Sequence, residues 1–389
     1  MNKIITGIFG VAALLHSLPS GAQTFKNKEG GHIEFTVVKD LDKTEVANQY
    51  RSSTCWSFSS LSFFESEILR ISEKRVNLSE MFVVNHIYRD KADRYVRMHG
   101  NGTFAAGGGF PDALYVMKNY GMVPESAYPG KLVDPENHIH WEMDNVLKSI
   151  VDAVIANKNG KLSPVWKDAY TASLDSYLGA LPEKFETEGS SYTPKTYMES
   201  LKINPDDYIV LTSFSHHPFY SQFVLEVPDN WAAQSVYNVP LADFRDIMNY
   251  SIDKGYTFAW AADVSEYGFN WKNGVAIVPQ NGWEYRPSKS LIDSLTDYPV
   301  VQMTITQENR QVAFDNYETQ DDHGMHITGI VKDQNGTLYY KVKNSWGTKS
   351  NDCDGYLYAS EAYVLYKSTG IMLHKDAIPS SIRKKMGIK

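Results

Sequence analysis

A thiol, an imidazole and a carboxamide are the side chains of this chain best suited to covalent chemistry. Cys55 opens a stretch of helical apolar spacing, so the positive end of a helix dipole would favour its thiolate. Gln49, six residues earlier, carries an amide that could reach the same region. Far downstream, Asp322-His323-Gly324-Met325-His326-Ile327-Thr328-Gly329 brings two histidines to the entry of an apolar strand, and Lys343-Asn344-Ser345-Trp346-Gly347 puts an asparagine at the exit of another. A thiolate nucleophile needs an imidazole partner, and the imidazole needs a group that fixes its tautomer. Cysteine, histidine and asparagine supply those three roles. On its own, a free cysteine is more often a small buried hydrophobe. That is the reading for Cys353, which lies among Asn351, Asp352 and Asp354, acids that raise a thiol's pKa.

The elements that must position these groups can be read from periodicity. Trp56, Phe58, Leu61, Phe64, Ile68 and Ile71 recur at helical spacing, which predicts a buried helix over Cys55–Ile71. Leu78-Ser79-Glu80 opens a second helix with a capping serine. Gly107-Gly108-Gly109-Phe110-Pro111 is a tight, backbone-exposing loop before a third helix over Asp112–Asn119, stopped by Gly121. Thr36–Asn48 reads as extended and loop-like, 131–207 as a mostly helical insertion with a Ser/Thr/Gly/Pro-rich connection at 186–195. From 208 onward strands are expected at Tyr208–Phe214, Gln222–Val227, Thr257–Val264, Val300–Ile305, His326–Val331, Leu338–Asn344 and Gly355–Tyr358. A helix-rich first half and a strand-rich second half predict an α+β fold.

Three ordered motifs carry a resemblance. The stretch from Gln49 through Cys55-Trp56-Ser57-Phe58-Ser59, then Asp322-His323-Gly324-Met325, then Asn344-Ser345-Trp346-Gly347, resembles the signatures of papain-like cysteine peptidases. Gly108-Gly109-Phe110-Pro111 resembles that family's glycine loop, and Tyr120-Gly121-Met122-Val123 to Tyr128-Pro129 continues the match. Within the family the chain is most similar to the bleomycin hydrolase and aminopeptidase C branch. His323 lies 323 − 55 = 268 positions after Cys55, whereas papain-type spacing is roughly 130 to 150, so a long segment is inserted. Few residues precede Cys55, and Phe258-Ala259-Trp260-Ala261-Ala262-Asp263-Val264 resembles a strand of that branch. One departure is that Ser52-Ser53-Thr54 stands where papain-type enzymes have Cys-Gly-Ser.

The resemblance implies a two-lobe fold, a helical lobe (23–130) bearing Cys55 and a β-barrel-like lobe (208–375) bearing His323 and Asn344, with a tail at 376–389. It implies a thiolate acyl-enzyme in which Cys55 attacks, His323 holds the ion pair and protonates the leaving amine, Asn344 orients His323, and Gln49 with the Cys55 N–H forms the oxyanion hole. His323 is preferred to His326 because the family's histidine follows Asp or Asn, precedes a small residue, and has Gly or Ala six positions on. Gly108 and Gly109 would line the substrate backbone and Trp346 would shield the His–Asn contact. In the branch the C-terminal arm lies in the cleft and offers its carboxylate to the substrate's amino group, so Lys389 would bind substrate and action would be aminopeptidase. Branch members form hexamers, so a homo-oligomer is expected by resemblance. Alternatives are an exported endopeptidase with an open cleft, or a non-catalytic binding protein on the same scaffold.

Composition bounds the rest. The chain has 389 residues, 42% hydrophobic and 22% charged, ordinary for a globular protein. A net charge of -8 gives no basic excess for nucleic acid or anionic lipid. Residues 1–22, with Lys3, the apolar run Ile4–Leu15 and Ser20-Gly21-Ala22, read as a signal peptide. An exported protein, periplasmic or extracellular and with no membrane anchor after cleavage, is therefore expected. No cofactor or metal is expected: His138-Ile139-His140 and His216-His217 lack a metal-binding pattern and are read as surface histidines, and Gly107–Gly109 lacks the following Gly-Lys-Ser/Thr of a phosphate loop.

Overall fold

In the computed structural model, which describes residues 23–283 and 286–389, two secondary elements lead into the first helix: β1 (Thr24–Lys26) and β2 (Glu34–Asp40). The expected signal peptide lies outside the described residues. Helix α1 (Cys55–Ser72) follows and ends at Glu73 in the left-handed conformation, φ 56°. Its apolar side chains Trp56, Phe58, Phe64 and Ile68 are buried. Ser79 caps α2 (Glu80–Arg97) by accepting the Phe82 N–H at 3.0 Å. Helix α3 (Phe110–Tyr120) carries Pro111 in its first turn and stops at Gly121, φ 94°. The segment read as an insertion supplies α4 (Trp141–Ile155), α5 (Val165–Leu178), a hairpin of β3 (Phe185–Thr187) and β4 (Ser190–Tyr192), and α6 (Pro194–Ser200). Met143, Leu147, Val151, Tyr170 and Leu174 join the same core as α1 and α2, so these helices enlarge the first lobe's core.

The second half alternates more than its sequence pattern suggested. Strands β5 (Tyr208–Thr212), β6 (Gln222–Val224) and β7 (Ser235–Asn238) lead to α7 (Leu241–Asp253), then β8 (Phe258–Ala262), β9 (Phe269–Asn270) and β10 (Val275–Ala276). Helices α8 (Lys289–Asp297) and α9 (Gln307–Asp315) precede β11 (His323–Asp333), β12 (Leu338–Lys343) and β13 (Tyr356–Ser360). The chain closes with α10 (Glu361–Lys367), β14 (Ser368–His374) and α11 (Ser380–Lys385). Residues 300–305, expected as a strand, form only a bridge between Gln302 and Pro279.

One sheet runs β6-β7-β5-β14-β8-β11-β12-β13-β10-β9. β11 is its spine: residues 323–327 pair with β8, and residues 329–333 pair with β2, so the extended segment before Cys55 is stitched into the second lobe's sheet. Alternation along the strands separates two cores. Ala259, Met372 and Tyr208 face the helices around α1, while Trp260, Met325, Ile327, Ile371 and Leu373 face α7 and α11. Gly324 lets the two lobes meet, since a Cβ there would stand 3.3 Å from the Cys55 carbonyl oxygen and from Trp56 Cα.

Candidate active site

Two chain segments 300 residues apart in number are laced together at the mouth between the lobes. Gln49 donates its N–H to the Ser345 carbonyl at 2.8 Å, the Ser345 hydroxyl donates to Gln49 Oε1 at 2.6 Å, and Asn48 bridges Trp346. Because its oxygen is thus occupied, Gln49 presents its amide nitrogen as the remaining donor. The turn from Gln49 to Cys55 is tight, with Tyr50 at φ 47° and Ser53 at φ 55°. No side chain caps α1, because the Thr54 hydroxyl is paired with Ser52 Oγ at 2.6 Å. Among the described residues the Cys55 N–H has no partner, so it and the Gln49 amide are the donors a developing oxyanion would meet.

The first residue of β11 is His323, buried, with Nε2 2.7 Å from Asn344 Oδ1. Asn344 Oδ1 also accepts the Ser345 N–H at 2.8 Å, which fixes the amide's rotation. An acceptor at Nε2 requires the proton on that nitrogen, leaving the Nδ1 lone pair as the base. Trp346 lies over the imidazole with ring centroids 4.8 Å apart, and Trp271 packs edge-on to Trp346 at 5.0 Å. The structure thus places Trp346 against the His323 ring, beside the His–Asn contact.

Electrostatics in the cleft differ from the simple helix-dipole expectation. Burial pushes the Cys55 thiol up to about 12, and the charges of Asp229 and Asp321 add to the rise against hydrogen bonds from the Gly324 and Trp56 N–H groups. Burial also holds His323 below the usual imidazole value, opposed by the Asn344 bond and the Asp322 charge. Both shifts run toward the neutral forms of thiol and imidazole. The helix N-terminus is present, but desolvation outweighs it.

The glycine loop stands beside this pair. The Trp56 indole donates to the Ala106 carbonyl at 3.0 Å, and a Cβ on Gly108 would come 2.9 Å from that indole, so only glycine lets the loop lie flat there. The Gly109 N–H is already given to Asp112 at 2.9 Å, which leaves the Gly108 backbone as the edge open to a substrate chain. The other expected residue, Lys389, is placed elsewhere. It is exposed, and it follows α11, whose Ile382 and Met386 are buried against the α7 face of the sheet, opposite α1. Lys385 reaches Asp243 of α7 at 3.4 Å and Arg383 pairs with Asp376. The expected tail in the cleft is thus corrected, because its apolar side chains are spent in the second core.

His326 accepts or donates at Ser62 Oγ, 2.9 Å from Nδ1, is fully buried, and faces α1. Cys353 gives its S–H to the Asn27 carbonyl at 2.6 Å, and burial with Asp352 and Asp354 pushes its thiol up to about 12. His138 and His140 are not surface residues as expected: both are buried, since Arg51 exchanges backbone bonds with them beside the Cys55 turn. His216 and His217 are exposed or half-buried and gather on Glu226 at 3.1 and 2.9 Å. There the Ser215 N–H occupies Gln311 Oε1, so the Gln311 amide nitrogen donates to His216 Nδ1 and the His216 Nε2–H points at Glu226. That tautomer has no free lone pair for a cation. Sequence reasoning missed Ser345 as the clamp on Gln49, and Asp229 and Asp321 as charges felt by Cys55; the run Asp321-Asp322 before His323 was the only visible hint.

Residues 182–388, more than half of the chain, match the model of the Peptidase C1-like family. The chain belongs to that family. It is similar to Aminopeptidase C of Streptococcus thermophilus, 22% identical over 388 residues that cover 88% of this chain and 83% of that protein. It is also similar to Aminopeptidase E of Lactobacillus helveticus, 24% identical over 86% of this chain and 82% of that protein. Among solved structures, PepW from Lactobacillus rhamnosis HN001 superposes with a TM-score of 0.69 over 90% of this chain and 84% of that chain, at 20% identity. The α+β fold of the Peptidase C1-like family is therefore the fold of this chain.

Proposed function

We propose that this protein is a cysteine peptidase that removes N-terminal residues from peptides through a Cys55 acyl-enzyme. The observation that carries the reading is that the uncapped α1 N-terminus brings the Cys55 sulfur to the Gly324 N–H, next to His323, whose Nε2 is held at 2.7 Å by Asn344. In the proposed cycle His323 Nδ1 takes the thiol proton as sulfur attacks the carbonyl, the Cys55 N–H and the Gln49 amide receive the oxyanion, and the imidazolium protonates the leaving amine. Water then attacks the thioester by the reverse proton route. The aminopeptidase names of relatives spanning most of this chain support the exopeptidase choice.

The placement of the tail behind the sheet favours keeping one second reading, an endopeptidase with an open cleft. Export after loss of residues 1–22 and assembly into a hexamer belong to the same proposal, read by N-terminal sequencing of the mature protein and by light scattering. The central test is a set of aminoacyl and N-acetyl-aminoacyl fluorogenic amides, with labelling by a thiol-directed peptidyl electrophile. Turnover of free-amine substrates that is lost in Cys55→Ala supports the proposal. Turnover that survives Cys55→Ala, or that requires a blocked amine, overturns it.

A further inference from the structure

Between the glycine loop and the entry to β11 lies a small recess of about 60 Å³. Its floor is apolar, from Val210, Val236 and Ala261, and its polar edge is acidic. Most polar groups around it are already used. Asp112 accepts from the Gly109 N–H at 2.9 Å, Trp231 Nε1 at 3.0 Å and Gln234 Nε2 at 2.8 Å, while the Asn230 amide is spent on the backbone of Leu225 and Gln234.

Two carboxylates remain. Asp229 lies against Gly107, close enough that a Cβ on that glycine would collide with it, and among the described residues its side chain makes no hydrogen bond or ion pair. Asp321, two residues before His323, is recessed with a little of its surface open to the pocket, and the Asp229 N–H is the one donor to it. Among the described residues neither pairs with a cation: Lys91, whose charge reaches Asp229, gives its ammonium to the carbonyls of Ala105 and Gly107. Both charges are felt at the Cys55 sulfur. Burial and the neighbouring carboxylates push Asp321 up to about 7 and raise Asp229, a penalty on their charged forms that an entering cation would relieve.

We infer that Asp229 and Asp321 form a subsite for a positively charged nitrogen of the substrate next to the scissile bond, and that its occupant is the free α-ammonium. This deepens the peptidase reading and rests on it. The recess sets an acidic edge against an apolar floor, which suits an ammonium carried on an organic residue. An ammonium there would place the residue it belongs to with its carbonyl at Cys55, which selects the first residue of a peptide. The subsite thus assigns exopeptidase selectivity to the body of the second lobe, on the cleft side of the sheet, where the tail does not reach.

The experiment measures KM and kcat of wild type, Asp229→Asn and Asp321→Asn with an aminoacyl amide, its N-acetyl form, and an N-blocked substrate carrying lysine one residue before the cleaved one. Iodoacetamide labelling of Cys55 and circular dichroism run alongside. A rise in KM of about tenfold or more for the free-amine substrate alone, over and above any change in kcat that all three substrates share through the Cys55 thiol, is the expected result. Equal effects on free and blocked substrates, or none, overturn the subsite while leaving the peptidase reading intact. An effect confined to the lysine substrate overturns the α-ammonium as occupant. Wild type that labels at Cys55 but cleaves none of the three overturns the underlying reading instead. Should a variant not fold, wild type is inhibited with an amino-acid amide and with its N-acetyl form: competition by the former alone supports the subsite, and equal competition overturns it.

Discussion

Replacing Asn344 by alanine isolates the contact on which the proposed cycle turns. Asn344 Oδ1 lies 2.7 Å from His323 Nε2 and 2.8 Å from the Ser345 nitrogen, so alanine removes the acceptor that holds the imidazole and leaves both N–H groups buried. Among the described residues the Asn344 Nδ2 group has no partner, so no hydrogen bond among them is lost on that side. Once His323 has taken the thiol proton the lost bond is one to an imidazolium, worth about 1.5–3 kcal/mol, which converts to a fall in kcat of about 10- to 150-fold. KM should hardly move, because the bond strengthens only as charge appears. The pH profile gives an independent sign. The Asn344 bond raises His323 against burial, which lowers it. Neutral imidazole is the base, so activity appears as pH rises through the His323 pKa. Alanine lowers that pKa further and moves the acid limb to lower pH, whereas Asn344→Asp keeps an acceptor, adds negative charge and moves it to higher pH. Wild-type kcat in Asn344→Ala with normal thermal melting, or limbs that move the same way in both variants, would falsify the argument.

Other expectations follow from single residues. Cys55→Ala should abolish turnover and thiol labelling, while Cys353→Ser should leave both intact because that sulfur is tied to the Asn27 carbonyl; activity loss in the Cys353 variant refutes the choice of nucleophile. His326→Ala should lower stability by about 1–3 kcal/mol through loss of packing and the Ser62 bond, without lowering kcat. A matching loss of kcat would reassign the base. Ser53 is an exposed non-glycine residue at φ 55° in the turn before Cys55, so Ser53→Gly should stabilise by about 1 kcal/mol and raise the melting temperature by about 1 °C. Deleting Ile388 and Lys389 should leave the preference for free N-termini unchanged, since α11 is docked behind the sheet; a switch to blocked substrates would bring the tail back into the cleft.

What the sequence determined by itself was local chemistry and local periodicity. Cys55 at a helix start, His323 at a strand entry and Asn344 at a strand exit were all legible, because capping, alternation and residue type are written within a few positions of each group. The α+β class and the first three helices followed from the same short-range signals. Helices α7, α9 and α10 were not foreseen: their apolar stripes are short and sit among strand-like runs, so propensity gave way to packing against the sheet. Nor could pattern show that residues 35–40 pair with β11, where Asp40 meets Gly329 and Phe35 meets Asp333. The charge state of Cys55 was decided by tertiary structure alone, because desolvation and the approach of Asp229 and Asp321 depend on what the folded chain brings near the sulfur. The tail was decided in the same way: its sequence specified a short helix with a glycine stop, but only the exposed groove beside α7, filled by Ile382 and Met386, settled which face of the sheet that helix covers.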